Sequence, residues 1–430
     1  MSAPDTVAAR RPAASSGRSI ACRTCPEGRV EEFMDLGRMP IANGFLKAEA
    51  RAAEEFFFRL AAGVCTSCWM AQLMETVPPS QLFHEHYVYF SSTSTRMQEH
   101  FAGFADDVLQ RLGLPNPSEA LIAEVGSNDG ILLEPMRRRG ARVLGIEPSA
   151  NVAAVARERG IDTWTEFFTP ALADRIVRER GRLHALLGAN VICHIPDLQG
   201  LFEGASRALA DEGIFVFEDP SLLEILRTTA YDQIYDEHVY YFSVTSLSAA
   251  LARHGLRLFD VQAQPVHGGS NRIYACRQAS RHATHARVAA ALDAEQRFGL
   301  SSRAPYQAFA HRVQRSRAEL TALLTRLKSE GRRIAGYGAT SKGNVVLNYC
   351  QIGPDLLEYI TDTTPIKQGC VSPGMHIPIV KPDVFHQRPP EYALLLAWNH
   401  AQEILRKEEA YGTSGGRFIT HIPTVKVITP

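Results

Sequence analysis

The chain has no excess charge of either sign, no long apolar run and none of the common phosphate-binding signatures. Its 46 basic and 46 acidic residues cancel over 430 residues, so nothing marks a surface for nucleic acid or an anionic membrane, and a small-molecule ligand is favoured. No stretch approaches the roughly 18 to 20 uninterrupted apolar residues of a membrane span. The first twenty residues, rich in Ala, Arg, Ser and Pro, lack the apolar core of a secretory signal and read as a disordered tail of a cytoplasmic protein. Neither G-x-x-x-x-G-K-[ST] nor a G-x-G-x-x-G run is met, and His84-Glu85-His86 is too short for H-E-x-x-H.

Cysteine is sparse apart from two equally spaced pairs, Cys22-x-x-Cys25 and Cys65-x-x-Cys68; the other four stand singly. Two such knuckles can wrap four thiolates around one Zn²⁺ with no position left for water, a structural site. The long gap between them calls for an inserted strand or loop. Disulfides are the alternative, as is a redox pair, which the presence of two pairs argues against.

A chain of this length holds two or three domains. From Ala120 to about Arg277, strands alternate with helices in the rhythm of a parallel sheet. Strands are predicted at Leu121 to Val125, Arg142 to Ile146, His184 to Leu187 and Gly213 to Glu218, with helices at Asn151 to Arg159, Pro170 to Arg180 and Leu198 to Ala210. The first strand runs into Glu124-Val125-Gly126-Ser127-Asn128-Asp129-Gly130, and the second ends at Glu147-Pro148-Ser149. The glycines let the backbone turn against a ligand, and a carboxylate at Glu147 can accept from both hydroxyls of a ribose. The spacing suits a nucleoside without a pyrophosphate. This E-x-G-x-x-x-G pattern resembles the S-adenosylmethionine (SAM) site of class I methyltransferases, the alternative being a plain strand-turn-helix of another doubly wound domain.

The densest reactive cluster is Tyr235-Asp236-Glu237-His238, just beyond the strand ending near Glu218. A histidine beside a carboxylate and a phenol can act as a general base with an oxyanion donor at hand; the same spacing also makes satisfied cores and surface pairs. Asn190 and His194 follow the third strand and face the same ligand end, while Tyr87 and Tyr89 follow the cysteine unit, which could fold over the cleft. His267-Gly268-Gly269-Ser270-Asn271-Arg272 suits sugar hydroxyls or phosphate, or is a hairpin turn. A helical connector is expected at Met97 to Leu112, and one or two helices between His282 and Glu330. A second α/β unit then opens with a strand at Arg333 to Tyr337, the loop Gly336 to Gly343 and a helix from Asn344 to Cys350, with strands at Leu357 to Thr361 and Tyr392 to Ala397. Thr340, Ser341 and Lys342 at that helix start make either an anion cradle or a tight turn with a solvent lysine.

In this order the pieces resemble, over nearly the whole chain, the SAM-dependent C-methyltransferases of nucleotide-linked 4-keto-deoxysugars in antibiotic and polysaccharide pathways. The residues carrying the likeness are the four cysteines, Leu36-Gly37 with Pro40 to Leu46, Glu124 to Gly130, Gly145 to Ser149, Tyr235 to His238, His267 to Arg272, Gly336 to Asn344, Lys367 to Gly369 and Pro373 to Pro378. The resemblance implies a disordered tail over 1–19, a zinc-binding domain over 20–76, a connector over 77–119, a class I SAM methyltransferase Rossmann-like domain over 120–280, and a helical bridge with a second Rossmann-like domain over 281–430. It implies that SAM is held by Glu124, Gly126, Ser127, Asn128, Gly130, Glu147, Pro148, Ser149 and Asn190. It places a nucleotide-sugar, dTDP being the expected nucleotide, against Tyr87, His267, Gly268, Ser270, Arg272, Tyr337, Lys342 and Asn344. His238 becomes the base that removes the proton α to the ketone, with Tyr235, Glu237, Tyr89 and His194 around it; C3 is favoured over C5. Asp236 departs from the histidine common at its position and makes the local charge more negative, which favours a protonated His238. O- or N-methylation, or a binding protein without turnover, are the other readings. No feature sets an oligomeric state, and a monomer is compatible with all of them.

Overall fold

The computed structural model describes residues 18–47, 55–83, 91 and 95–428. Tyr87, Tyr89 and the His84 to His86 run lie outside the described residues.

The middle of the chain forms a seven-stranded sheet of Leu121–Val125, Arg142–Ile146, Thr163–Trp164, Leu183–Ala189, Leu209–Pro220, Leu256–Gln264 and Ser270–Arg277. Numbered along the chain within this sheet, the order across it is 3-2-1-4-5-7-6, with the first five strands parallel and Ser270–Arg277 antiparallel to both its neighbours. Leu121–Val125 is buried at every position, Glu124 included, because helices cover both faces, which explains why its residues are apolar apart from that one carboxyl. The flanking helices start and stop where their termini direct. Thr169 caps Pro170–Arg180 by accepting from Leu172 N–H at 3.2 Å, and Gly181, with φ 103°, ends it.

A second sheet has the order Ile379–Val380, Ile360–Thr361, Ile334–Tyr337, Tyr392–Leu395, Arg417–Thr420, Lys426–Ile428, parallel except for the last strand. Its first helix is Ser341–Cys350, three residues longer at the start than predicted. The Thr340 hydroxyl accepts from Gly343 N–H at 2.9 Å and makes Thr340 the cap, so Ser341, Lys342 and Gly343 form the first turn. The strand expected from Leu357 shrinks to Ile360–Thr361, and the one expected to reach Ala397 stops at Leu395. Two helices, Ala286–Phe298 and Ala304–Ser329, bridge the sheets.

The cysteine-bearing lobe is an antiparallel sheet of Ser19–Ala21, Arg29–Pro40, Phe57–Cys65 and Ala71–Leu73. Its fifth strand, Tyr240–Tyr241, comes from the middle of the chain and pairs with Ala71 and Gln72. One buried cluster runs from this lobe into the C-terminal one, with Phe33 packed on Tyr306 and Phe309 of the long helix at centroid distances of 5.1 and 6.3 Å. Among the described residues, no helix is long and apolar enough to cross a membrane.

Candidate active site and metal centre

The four knuckle sulfurs lie within 4.8 Å of one another, with Cys22 to Cys68 at 3.7 Å and Cys25 to Cys65 at 3.5 Å. A disulfide needs about 2.05 Å, whereas a tetrahedral Zn²⁺ with Zn–S near 2.3 Å sets its sulfurs about 3.8 Å apart. The cluster is therefore a zinc site and not a pair of disulfides. Amide N–H groups of Thr24 and Ser67 donate to Cys22 and Cys65, both at 3.4 Å, and Gln72 Nε2 donates to Cys22 at 3.3 Å, as thiolates require. Gly28 is obligatory, since a Cβ there would come within 2.3 Å of Cys25 Sγ.

The strand order of the first sheet reverses between Leu121–Val125 and Leu183–Ala189, and loops leaving the carboxyl ends of strands at such a point leave a crevice. The second sheet reverses in the same way around Ile334–Tyr337. Both switch points open onto one cleft of about 280 Å³. Its walls are Val125, Gly126, Asn128, Glu147, Pro148 and Asn190 on one side and Thr340, Ser341, Lys342, Lys367 and His400 on the other, with Tyr235, Glu237, His194 and His267 between them.

On the first wall Glu147 accepts from Asn128 N–H at 3.0 Å and Ser149 N–H at 2.8 Å, which fixes its carboxylate across the loop; burial raises its pKa. Gly126, with φ 63°, has no room for a side chain, because a Cβ would lie 2.4 Å from Val191 Cγ2. Glu124, Ser127, Gly130 and Ser149 do not line the cleft but underlie it. Glu124 is buried, and its carboxyl is held well above the usual range by burial and by Glu147 and Asp129. A Cβ on Gly130 would meet Ile161 at 2.1 Å.

The central segment is a turn closed by His238 N–H donating to Tyr235 O at 3.0 Å, which brings the two rings to 4.2 Å. His238 is 1% exposed and sits behind the lining, 5.1 Å from the His194 ring, itself stacked on Phe83 at 5.8 Å. Neither Nε2 has a hydrogen-bond partner among the described residues. Burial, helped by Lys342, depresses His194 to about 3, and burial with His194, Lys342 and His267 nearby holds His238 well below the usual imidazole range. These directions run against the expectation that Asp236 adds negative charge and favours a protonated His238. Asp236 points to the opposite side, where it accepts from Ala42 N–H at 3.1 Å, and burial raises it to about 8, so that it is largely neutral near pH 7.

Four of the residues expected to touch the acceptor are engaged elsewhere. Arg272 is an in-register cross-strand partner of Glu218, bonded through Nε and Nη2 at 2.9 Å and stacked on Phe104 at 3.8 Å, fully away from the cleft. Tyr337 donates to Glu408 at 2.6 Å on the far face of its sheet. Ser270 donates to Val266 O at 3.1 Å and ties the hairpin. Asn344 donates to Ala42 O at 2.7 Å, next to a smaller cavity between lobes. Gly268 lies against Trp398, with no room for a Cβ, while His267 and Lys342 do face the cleft.

Other wall residues had no role in the sequence reading. Asn43 reaches in from the zinc lobe and donates to Glu237 Oε1 at 2.6 Å. Lys367 donates to Ala339 O at 2.8 Å with its ammonium over Phe45, and Phe167, an exposed aromatic at 49%, borders the first wall. The Pro40 to Leu46 and Lys367 to Gly369 signatures flagged the first two segments without a function, and nothing local singles out Phe167.

Three family models match consecutive parts of the chain: a zinc binding domain over residues 22–83, a methyltransferase domain over 97–261 and a C-methyltransferase C-terminal domain over 265–423. C-methyltransferase NovU from Streptomyces niveus is 37% identical over 408 residues, 95% of this chain and 96% of that protein. A ubiquinone biosynthesis O-methyltransferase from Methylocella silvestris is 28% identical over 172 residues, 36% of this chain and 66% of its own. Among solved structures, magnesium protoporphyrin IX methyltransferase from Synechocystis PCC 6803 with bound SAM is 14% identical, covering 42% of this chain and 79% of its own with a TM-score of 0.32. The match to NovU runs across all three lobes, so the chain belongs to the C-methyltransferases and is a SAM-dependent enzyme with a four-cysteine zinc site.

Proposed function

We propose that the acceptor is a nucleotide-linked 4-keto-deoxysugar, methylated at the carbon α to the ketone, with C3 favoured over C5 as the family resemblance implies. One observation carries this reading: a buried histidine pair, its rings 5.1 Å apart and its imidazoles held below their usual range by burial, lies between a nucleoside-type wall and a helix start bearing Lys342. A carbon acid beside a ketone needs a neutral base and a partner for the enolate oxygen, and a hydroxyl acceptor needs only the first. SAM supplies an electrophilic methyl on a sulfonium. In this proposal Gly126, Asn128, Glu147, Pro148 and Asn190 hold its nucleoside, with Glu124, Ser127, Gly130 and Ser149 supporting the loop from beneath. Lys342, Ser341 and His267 hold the acceptor's anionic and hydroxyl groups. His238 takes the α-proton; Tyr235 donates to the developing enolate oxygen; and Glu237 and His194 orient the pair. His194 fronts the cleft while His238 lies behind it, which favours His194 as the base in a second arrangement.

The test incubates the enzyme with labelled SAM and a panel of dTDP-4-keto-deoxysugars and locates the new methyl by NMR, alongside α-proton exchange from deuterated water without SAM. A C-methyl with prior exchange is expected. A methyl ether, or no exchange with any member of the panel, sinks the proposal. Exchange that survives His238→Asn and is lost in His194→Asn assigns the base to His194.

A further inference from the structure

Two consecutive residues of the zinc lobe, Ala42 and Asn43, lie between the catalytic turn and the first helix of the C-terminal lobe, and each is bonded to both. Ala42 N–H donates to Asp236 Oδ1 at 3.1 Å, and its carbonyl accepts from Asn344 Nδ2 at 2.7 Å. Asn43 Nδ2 donates to Glu237 Oε1 at 2.6 Å, and its Oδ1 accepts from Ser341 Oγ at 2.7 Å. Adjacent residues of the turn, Asp236 and Glu237, are thereby tied to residues one helical turn apart, Ser341 and Asn344.

The chemistry at position 43 admits few alternatives. Glu237 presents a carboxylate, which only a donor satisfies, and Ser341 spends its hydroxyl proton on an acceptor; a primary amide offers both at this reach. A carboxylate at 43 would keep the bond to Ser341 and repel Glu237. An apolar residue would lose both. Ser341 begins the helix whose first turn carries Lys342, and both side chains line the cleft together with Asn43 and Glu237. A group bound at that helix start and drawing on the Ser341 hydroxyl therefore acts on the Asn43 amide and through it on Glu237.

We propose that Asn43 is a positioning residue that couples acceptor binding at the Ser341 helix start to the orientation of Glu237 beside the histidine pair. This rests on the acceptor reading above. Asn43 takes no part in bond making: it holds the Glu237 carboxylate in the position at which it supports proton removal, and holds it best when the C-terminal lobe is engaged. A latch between lobes that served stability alone would hold in the same way with or without acceptor.

The test compares the wild type with Asn43→Ala, Asn43→Asp, Ser341→Ala and the double variant Asn43→Ala/Ser341→Ala. Each is assayed for α-proton exchange, kcat, KM for SAM and for acceptor, and zinc content. Losing a hydrogen bond to a charged group is expected to lower exchange and kcat by about 10- to 100-fold in both Asn43 variants, with KM for SAM and zinc content unchanged. Ser341→Ala should show a smaller loss, and the double variant should be no worse than Asn43→Ala, because both changes break one chain of bonds. Wild-type exchange in Asn43→Ala overturns the proposal, as do losses that multiply in the double variant. A parallel fall in SAM affinity and zinc content in Asn43→Ala also overturns it, since that marks a purely structural residue. Absence of exchange in the wild type is a failure of the acceptor reading and is distinguished before any variant is compared.

Discussion

Removing the zinc should silence the proposed catalytic turn while leaving the proposed SAM wall intact. Cys65 ends the strand Phe57–Cys65, whose Ala62, Gly63 and Val64 pair with Leu73, Gln72 and Ala71. That three-residue strand is what Tyr240 and Tyr241 pair with, and Leu73 N–H donates to Val239 O at 2.9 Å. The segment after His238 is thus held by an edge whose far end is anchored at the metal. Zinc contributes about 10–16 kcal/mol of apparent binding energy in isolated fingers, but this lobe also shares a buried cluster with the long helix Ala304–Ser329, so it should stay docked. The local loss is roughly two to three backbone hydrogen bonds at about 1 kcal/mol each. That amounts to roughly 2–3 kcal/mol, or about a 30- to 150-fold fall in the equilibrium constant for the ordered turn at 1.4 kcal/mol per factor of ten, and a like fall in its population where the disordered form then predominates. Cys65→Ser, or chelation of the wild type, should lower α-proton exchange by about two orders of magnitude on that arithmetic. SAM affinity by calorimetry should be unchanged, since Gly126, Asn128 and Glu147 stand on the other sheet. Zinc-free protein that exchanges at the wild-type rate would refute the coupling, and so would SAM affinity falling in step with exchange.

The depressed histidines predict a distinctive pH response. With His194 near 3 and His238 also well below its usual range, kcat/KM for the acceptor should stay flat on the acid side through about pH 6.5, where an unperturbed imidazole would be half lost. An acid limb centred near that value would contradict neutral burial. In stability the sign follows from which state binds the proton first: the unfolded chain does, so the contribution of His194 is whole above about pH 6.5 and is lost as pH falls toward its folded value. Urea midpoints of the wild type should therefore decline across that window more steeply than those of His194→Gln. Gly126→Ala, forced to φ 63° and against Val191, should carry about 1–3 kcal/mol of strain and weaken SAM binding about tenfold or more; unchanged affinity in calorimetry would remove this loop from the SAM wall. Arg272→Met should destabilise the fold by about 3 kcal/mol by stripping the buried Glu218 of its guanidinium, read as a shift in the urea midpoint with KM for the acceptor unchanged. Lys342→Met should do the reverse in the same two assays.

What was legible in the sequence depended on how far apart the partners lie. The knuckle cysteines carry their function in a three-residue spacing. The strands around Gly126 and Glu147 could be read from short, mostly apolar runs because both faces of that sheet are covered. Arg272 and Tyr337 were misplaced for one shared reason: their neighbours in sequence belong to ligand-type loops, but strand alternation turns their side chains toward Glu218 and Glu408. The Ser341 helix start was read as loop because a threonine cap looks like turn composition until the amide it accepts from is known. Asn43 could not be read at all. Its partners lie 194 and 298 residues along the chain, and only the docking of three lobes brings them to one amide.

That docking fits a requirement of the proposed chemistry. A parallel sheet presents one ligand at its switch point, and C-methylation must bring the reacting atoms of two ligands together, so two switch points facing one cleft are a direct solution. Neither sheet alone can then carry the base, since a residue fixed to one loop is set relative to one ligand only. The turn Tyr235 to His238, proposed above to carry the base, would meet the requirement because it is attached to all three lobes. It follows the sheet strand Leu209–Pro220, continues into the zinc-lobe strand Tyr240–Tyr241, and is bonded through Ala42 and Asn43 to the Ser341 helix. The zinc lobe thereby bears on the geometry of the proposed centre: its metal anchors one end of the sheet that bears the turn, and its Ala42 and Asn43 tie the turn to the C-terminal lobe.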